Sequence, residues 1–242
     1  MEKLLELNDI TFGYTSVPVL EDVNFEVYRG DYMAIIGPNG AAKSTLMKLA
    51  LGELTPWKGT VKLFGVDIKR FNEWGRVGYL SQYATHINTA FPATVEEIVM
   101  TGMREWLRPI GGGNLRHRAE NVLDMVGMGT LKHKLIGELS GGQRQRVFLA
   151  RLLAGSPEII FMDEPTTGVD AIAEAEFYEL LDDMQKVYNL TIVIVSHDIN
   201  AVLKRATKVT CVGGGKVHVH NTPDLTQDHL AEVFGYRIYE EE

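Results

Sequence analysis

Along this chain hydrophobic and polar positions first alternate, then run unbroken, then recur at helical spacing, and each change predicts a change of structure. Over residues 3–30 the alternation of Leu5-Glu6-Leu7 and Val23-Asn24-Phe25-Glu26-Val27, with turns at Gly13 and at Arg29-Gly30-Asp31, predicts an antiparallel sheet. The unbroken runs Met33-Ala34-Ile35-Ile36, Ile159-Ile160-Phe161-Met162 and Thr191-Ile192-Val193-Ile194-Val195 are what parallel strands look like when both faces are covered. Two further strands with polar alternation are expected at Gly59-Thr60-Val61-Lys62-Leu63-Phe64-Gly65 and Val77-Gly78-Tyr79-Leu80-Ser81-Gln82. From about Tyr83 to Leu153 the spacing becomes helical, so a helical insert is expected there. Within it Thr94, with Glu97 three residues on, predicts a capped helix start. Gly111-Gly112-Gly113-Asn114 reads as a flexible loop before a helix near Leu115 to Val126. An acidic helix from Ala173 to Tyr188 separates the last two apolar runs, and no internal repeat is present.

In open α/β sheets ligands lie beyond the carboxyl ends of the strands. The first apolar run ends at Gly37-Pro38-Asn39-Gly40-Ala41-Ala42-Lys43-Ser44-Thr45, the next strand at Gln82, the third at Asp163-Glu164 and the fourth at Ser196-His197-Asp198. Four strand ends would thus deliver polar residues to one edge. The first is strand, glycine-rich loop and helix start, which is the context of a phosphate-binding loop. Its backbone N–H groups and the helix dipole would hold a nucleotide phosphate. Lys43 would reach the terminal phosphates as a point charge, and the Ser44 hydroxyl would ligate magnesium, which prefers oxygen. Where the motif expects glycine the chain has Ala42, which is expected to keep a negative φ.

Two carboxylates after a buried strand are costly without a cation or hydrogen-bonding role. Asp163 is suited to magnesium, mostly through water, and Glu164 to polarising the water that attacks a γ-phosphate. The plainer reading is that Asp163-Glu164-Pro165 caps the next helix. His197 fits a γ-phosphate contact, and Gln82 a contact with magnesium or water. A second glycine-rich segment, Leu139-Ser140-Gly141-Gly142-Gln143, opens a strongly helical stretch, with Ser140 as cap and open N–H groups at Gly141 and Gly142. Two phosphate-binding helix starts are then present, and they need not serve one nucleotide from one subunit. Tyr14, in Phe12-Gly13-Tyr14, could stack on a purine for about 0.5–1.5 kcal/mol, although taken alone it reads as a packing residue.

The 242 residues and 45% hydrophobic content suffice for one large α/β domain or a core with a satellite. A net charge of −8 excludes holding nucleic acid or an anionic membrane by bulk electrostatics. The lone Cys211 reads as a buried strand thiol in a reduced, cytoplasmic setting. Charge enters the first six residues too early for a signal peptide, and no apolar run approaches the ~20 residues that span a bilayer. If membranes matter, another chain crosses them. Arg104, Arg108, Arg116, His117 and Arg118 flank the glycine run, where they form either a docking patch or, more simply, a solvated face. His218 and His220 share a face if they lie on a strand; with His229 they could hold a metal, and surface histidines are the plainer reading.

Together these motifs resemble the ATP-binding-cassette ATPases over essentially the whole chain: the phosphate loop at residues 37–45, Gln82, the signature at residues 139–143, the strand ending in Asp163-Glu164, Asp170 and His197, in that order. The resemblance implies a P-loop NTPase (RecA-like) core with an N-terminal antiparallel β subdomain and an inserted α-helical subdomain. Residues 1–82 and 154–242 would form the core with the β subdomain, and residues 83–153 the helical subdomain. It implies ATP and Mg2+ as cofactors, with Glu164, His197, Gln82 and Lys43 catalytic and Ser44, Gln82 and Asp163 around the magnesium. Tyr14 becomes the adenine-stacking aromatic. Each ATP would lie between the phosphate loop of one cassette and Ser140-Gly141-Gly142-Gln143 of another, with Asp170 communicating across.

With one set of motifs and no membrane span, the resemblance implies a homodimer of cassettes, or a pair with a related cassette, at the cytoplasmic face of the membrane. A separate multispanning permease would dock near Gln82 and residues 83–95. No nucleic acid is implied. The segment His86-Ile87-Asn88-Thr89-Ala90-Phe91-Pro92-Ala93-Thr94-Val95, the variant Pro165-Thr166-Thr167-Gly168-Val169-Asp170 and Ala42 look like the branch that imports zinc or manganese with a metal-binding extracytoplasmic protein. Iron-siderophore importers stay open as an alternative, as do a soluble cassette that assembles or regulates something with ATP as a clamp, and a cassette that Ala42 makes a poor hydrolyser binding nucleotide mainly structurally.

Overall fold

Completely buried strands form the centre of each of the two units into which the chain divides, Met1–Asn72 with Asn189–Glu242, and Glu73–Tyr188. A computed structural model describes residues 2–82, 91–103 and 112–234.

In chain order the first unit opens with β1 (Lys3–Phe12), β2 (Leu20–Tyr28), β3 (Tyr32–Ile36), α1 (Lys43–Ala50), β4 (Lys58–Leu63) and β5 (Val66–Asp67). The expected antiparallel pair is β1 with β2, and β4 adds to the free edge of β1, giving the order β2-β1-β4-β5. Leu5 lies opposite Val27 on one side and Leu63 on the other, and Leu7 opposite Phe25 and Val61. All six are buried, so the alternating pattern resolves into one apolar face.

The second unit follows with β6 (Val77–Leu80), α2 (Val95–Met100), α3 (Gly112–Met125), α4 (Gly141–Ala154), β7 (Ile159–Asp163) and α5 (Ala171–Tyr188). β6 and β7 are parallel, with Leu80 opposite Met162. The Thr94 cap is present as a full capping box. Its Oγ1 accepts the Glu97 N–H, and the Glu97 carboxylate accepts the Thr94 N–H at 2.8 Å, a bond that holds the Glu97 pKa below its ordinary value. The glycine run is not wholly a loop, because α3 begins at Gly112. Each helical glycine costs about 1 kcal/mol. Burial of Leu115, Ala119 and Leu123 on one face of the same helix offsets that cost.

The chain then returns to the first unit through β8 (Thr191–Val195), α6 (Ile199–Leu203), β9 (Lys208–Gly213), β10 (Lys216–Asn221) and α7 (Gln227–Phe234). There β3 lies between β8 and β9, parallel to both, and β10 runs antiparallel along β9. Every residue of β3, β7 and β8 is buried, as their unbroken apolar runs require. Among the described residues no helix is long and apolar enough to cross a membrane.

Candidate nucleotide site

Leaving β3, the chain turns through residues 37–42 into α1, which begins at Lys43. Gly37 has no substitute there, because a Cβ would lie 2.1 Å from the Val212 carbonyl oxygen. Gly40 has φ +80°. Ala42 does not keep a negative φ; it sits at φ 74°, ψ 23°. As N-cap of α1, Ala42 accepts the Leu46 N–H on its carbonyl at 2.9 Å. The left-handed conformation costs an L-residue about 1–2 kcal/mol, so the loop carries strain that glycine would lack.

Lys43 is buried, and its Nζ donates to the carbonyls of Gly37 at 2.9 Å and Pro38 at 3.0 Å. Ser44, next on α1, is exposed. The hydroxyls of Tyr14 and Thr45 hydrogen-bond at 3.1 Å, which fixes Tyr14 beside the phosphate loop although the residue is 62% exposed. Phe12 meets the Tyr14 ring edge-on at 5.1 Å between centroids, and Trp57 lies 6.4 Å from Phe12. Trp57 escaped the sequence reading because no motif carries it. On the neighbouring parallel strand Val195 pairs with Ile35, so exposed His197 leaves a strand end beside the one that opens the loop.

In the second unit the ends of β6 and β7 bring Gln82 and Glu164 together: Gln82 Nε2 donates to Glu164 Oε2 at 3.0 Å. Thr167 Oγ1 donates to the same oxygen at 3.3 Å, a contact that spacing alone did not announce. Asp163, the last residue of β7, is buried. Glu164 has φ +47°, the left-handed region again.

Ser140 is the N-cap of α4 as expected, accepting the Gln143 N–H at 3.3 Å, while the Gln143 side chain accepts the Ser140 N–H at 3.0 Å. Gly142 also has a packing reason, since a Cβ there would lie 2.7 Å from the Ala173 Cβ, whereas one on Gly141 would make only ordinary contact, 3.6 Å from Val169 Cγ1. Exposed Asp170 caps the next helix, accepting the Ala173 N–H at 2.9 Å. The signature and the Asp170 loop are therefore packed helix starts of one unit.

Tyr83 to Ala90, Arg104 and Arg108 lie outside the described residues. Phe91 is half-exposed. Arg118 donates to the Ala154 carbonyl, and exposed Arg116 and His117 stand 4.0 Å from Glu96 and Glu120. That arrangement is a solvated face with acidic company. Cys211 is buried, and burial pushes its thiol up to about 11. His218 and His220 lie on β10, where His220 stacks on His229 at 4.6 Å. Among the described residues no group of three His, Cys, Asp or Glu could hold a metal ion.

A phosphate loop opening a helix from a buried parallel strand, with a second strand ending in paired carboxylates, defines a P-loop nucleotide-hydrolysing protein. Residues 20–167 match the ABC transporter family, and the chain belongs to it as an ATP-binding ATPase. The zinc uptake system ATP-binding protein ZurA of Listeria monocytogenes is 40% identical over 96% of this chain and 94% of its own. The high-affinity zinc uptake system ATP-binding protein ZnuC of Bacillus subtilis is 41% identical over 85% of this chain and 89% of its own. Among solved structures, cbiO1 of Clostridium perfringens, part of the ABC transporter complex cbiONQ, superposes with a TM-score of 0.83 at 28% identity, covering 96% of this chain and 94% of that one.

Proposed function

We propose that this ATPase drives import of zinc through a separate permease, as one of two cassettes that close on ATP. The observation that carries the reading is the pairing of Gln82 with Glu164, 3.0 Å apart, at the ends of two parallel strands, in a chain about 40% identical to ATP-binding proteins of zinc uptake systems.

Within this proposal the backbone N–H groups of residues 37–45 and Lys43 bind the phosphates. To do so Lys43 exchanges bonds to the Gly37 and Pro38 carbonyls for bonds to phosphate oxygens. Tyr14 stacks on the adenine, with its hydroxyl anchored on Thr45. Glu164 orients and polarises the attacking water, and His197 contacts the γ-phosphate. Ser44, Asp163 and Gln82 each offer an oxygen donor, the chemistry Mg2+ prefers, and would be the residues to hold it. Gln82 donates to Glu164 through Nε2, which leaves Oε1 as the acceptor end of the amide. When bound, the cation would neutralise charge on the β- and γ-phosphates.

Ser140, Gly141, Gly142 and Gln143, with Asp170, serve the nucleotide held by the second cassette, most simply another copy of this chain. Residues 83–153 act as the helical subdomain, borne by a core of residues 1–82 and 154–242. Half-exposed Phe91 lies in the stretch offered to the permease. The protein would work at the cytoplasmic face of the membrane, with an extracytoplasmic metal-binding protein supplying the cargo. Manganese and iron chelates are the competing cargoes.

The test is uptake of radiolabelled zinc, manganese and iron chelate by cells lacking this chain and by cells complemented with it. Zinc uptake that depends on the chain and is lost with Lys43→Ala supports the reading. Unchanged zinc uptake, together with co-purification of a soluble partner and no membrane protein, replaces it with an assembly clamp.

A further inference from the structure

In α4 a glutamine lies where an apolar residue would be expected. Gln145 is fully buried, two to five residues before Val147, Phe148, Leu149 and Ala150, which are buried with it. Its Nε2 donates to the Pro165 carbonyl oxygen at 2.6 Å, across 20 positions of sequence and within one unit. Only the amide nitrogen can donate, so this bond sets which way the amide faces. The other end, Oε1, is buried and has no hydrogen-bond partner among the described residues. Leucine or methionine would fill the same space without stranding an acceptor, so the Pro165 bond is what the glutamine gains over them.

Pro165 follows Glu164, and the residue before a proline is biased towards extended conformations. Glu164 nevertheless has φ +47°, which few non-glycine residues adopt. Its backbone is held against local preference: a local turn bond, Thr167 N–H to the Glu164 carbonyl at 3.2 Å, grips it from its own loop, and the Gln145 bond to Pro165 adds a tertiary hold from α4. Proline has no N–H, so the carbonyl is the main-chain polar group through which Pro165 can be gripped. Gln82 and Thr167 fix the Glu164 carboxylate from the side, and Gln145 grips the chain immediately after it.

We propose that Gln145 is a positioning residue: by donating to the Pro165 carbonyl it holds the Glu164 backbone in its left-handed conformation and so aims the Glu164 carboxylate. The helix that begins at the signature is thereby tied to the hydrolytic carboxylate of the same chain. The inference rests on Glu164 acting on the attacking water, as proposed above.

The experiment measures ATP turnover by the purified full-length chain, with kcat, KM and thermal midpoint for wild type, Gln145→Met, Gln145→Glu and Glu164→Gln. Methionine keeps the volume and loses the donor, so kcat falls about tenfold or more while KM for ATP and the midpoint hold. Glutamate donates to the carbonyl only when protonated, which its burial favours. Its kcat relative to wild type therefore recovers as pH is lowered from about 8 to about 6, and the methionine ratio stays flat. Wild-type kcat in Gln145→Met, or a raised KM and lowered midpoint accompanying the fall in kcat, overturns the proposal. So does a flat ratio for Gln145→Glu, which decides the matter if the methionine variant does not fold. If Glu164→Gln keeps full turnover, the reading of Glu164 falls first. If Glu164→Gln loses turnover and Gln145→Met does not, the inference about Gln145 alone falls.

Discussion

The hydroxyls of Tyr14 and Thr45 share a hydrogen bond of 3.1 Å, which ties an exposed aromatic ring to the first turn of the helix that follows the phosphate loop. A ring kept in place for packing would be buried, and this residue is 62% exposed. Tyr14→Ala therefore weakens ATP binding by roughly 2- to 10-fold, the worth of one aromatic stack, and leaves the thermal midpoint nearly unchanged. Tyr14→Phe keeps the ring but not its anchor and falls between the two. Isothermal titration with ATP checks the order. Equal dissociation constants for all three proteins would return Tyr14 to a surface role.

Strain at Ala42 gives a prediction of the opposite sign. At φ 74° the methyl group is unfavourable, and glycine removes that cost while giving the unfolded chain more freedom to lose. The balance favours Ala42→Gly by about 0.5–1 kcal/mol, which raises the thermal midpoint by about 2 °C, with ATP turnover at least as high as wild type. Ala42→Val, β-branched, moves the midpoint down. A lower midpoint for the glycine variant in differential scanning calorimetry would show that the left-handed conformation is not the one populated.

That conformation also marks the limit of what the amino-acid pattern discloses. Strands β3, β7 and β8 were legible because a fully buried parallel strand must be a continuous apolar run, and the residues at their ends follow by position. The capping boxes at Thr94 and Ser140 were half legible: the caps were expected, and the reciprocal use of Gln143 was not. Backbone signs at Ala42 and Glu164 are invisible in composition, because both residue types ordinarily avoid positive φ. The β1 and β4 pairing, Thr167 and Trp57 depend on long-range contacts that no local period encodes.

Glu164 accepts from two donors on one oxygen, Gln82 at 3.0 Å and Thr167 at 3.3 Å, which orients its carboxylate without consuming the other oxygen in those bonds. Glu164→Gln preserves size and an acceptor oxygen but not the charge that polarises water. Turnover is then expected to drop by ~10²-fold or more, with ATP affinity retained. Thr167→Val deletes one of the two donors and lowers turnover by less. Single-turnover assays with ATP separate binding from chemistry, and undiminished chemistry in the glutamine variant would remove Glu164 from the hydrolytic role.

In the first unit, His220 on β10 stacks against His229 on α7 with 4.6 Å between ring centroids and 23° between planes. Burial first, then His229 and His218, holds the His220 pKa below its ordinary value, with Asp224 pulling the other way. His229 Nδ1 accepts the Thr226 N–H at 3.3 Å. The unfolded chain therefore binds the His220 proton more readily than the folded one. This contribution to stability is complete above the ordinary histidine pKa of about 6.5 and is lost as pH falls through it towards the lower folded value. Hydrogen exchange of the amides in α7, corrected for the intrinsic rate, should accelerate between about pH 7.5 and about pH 5.5, and His220→Asn should flatten that response. Equal corrected rates at the two pH values would mean that the stacked pair does not hold the helix.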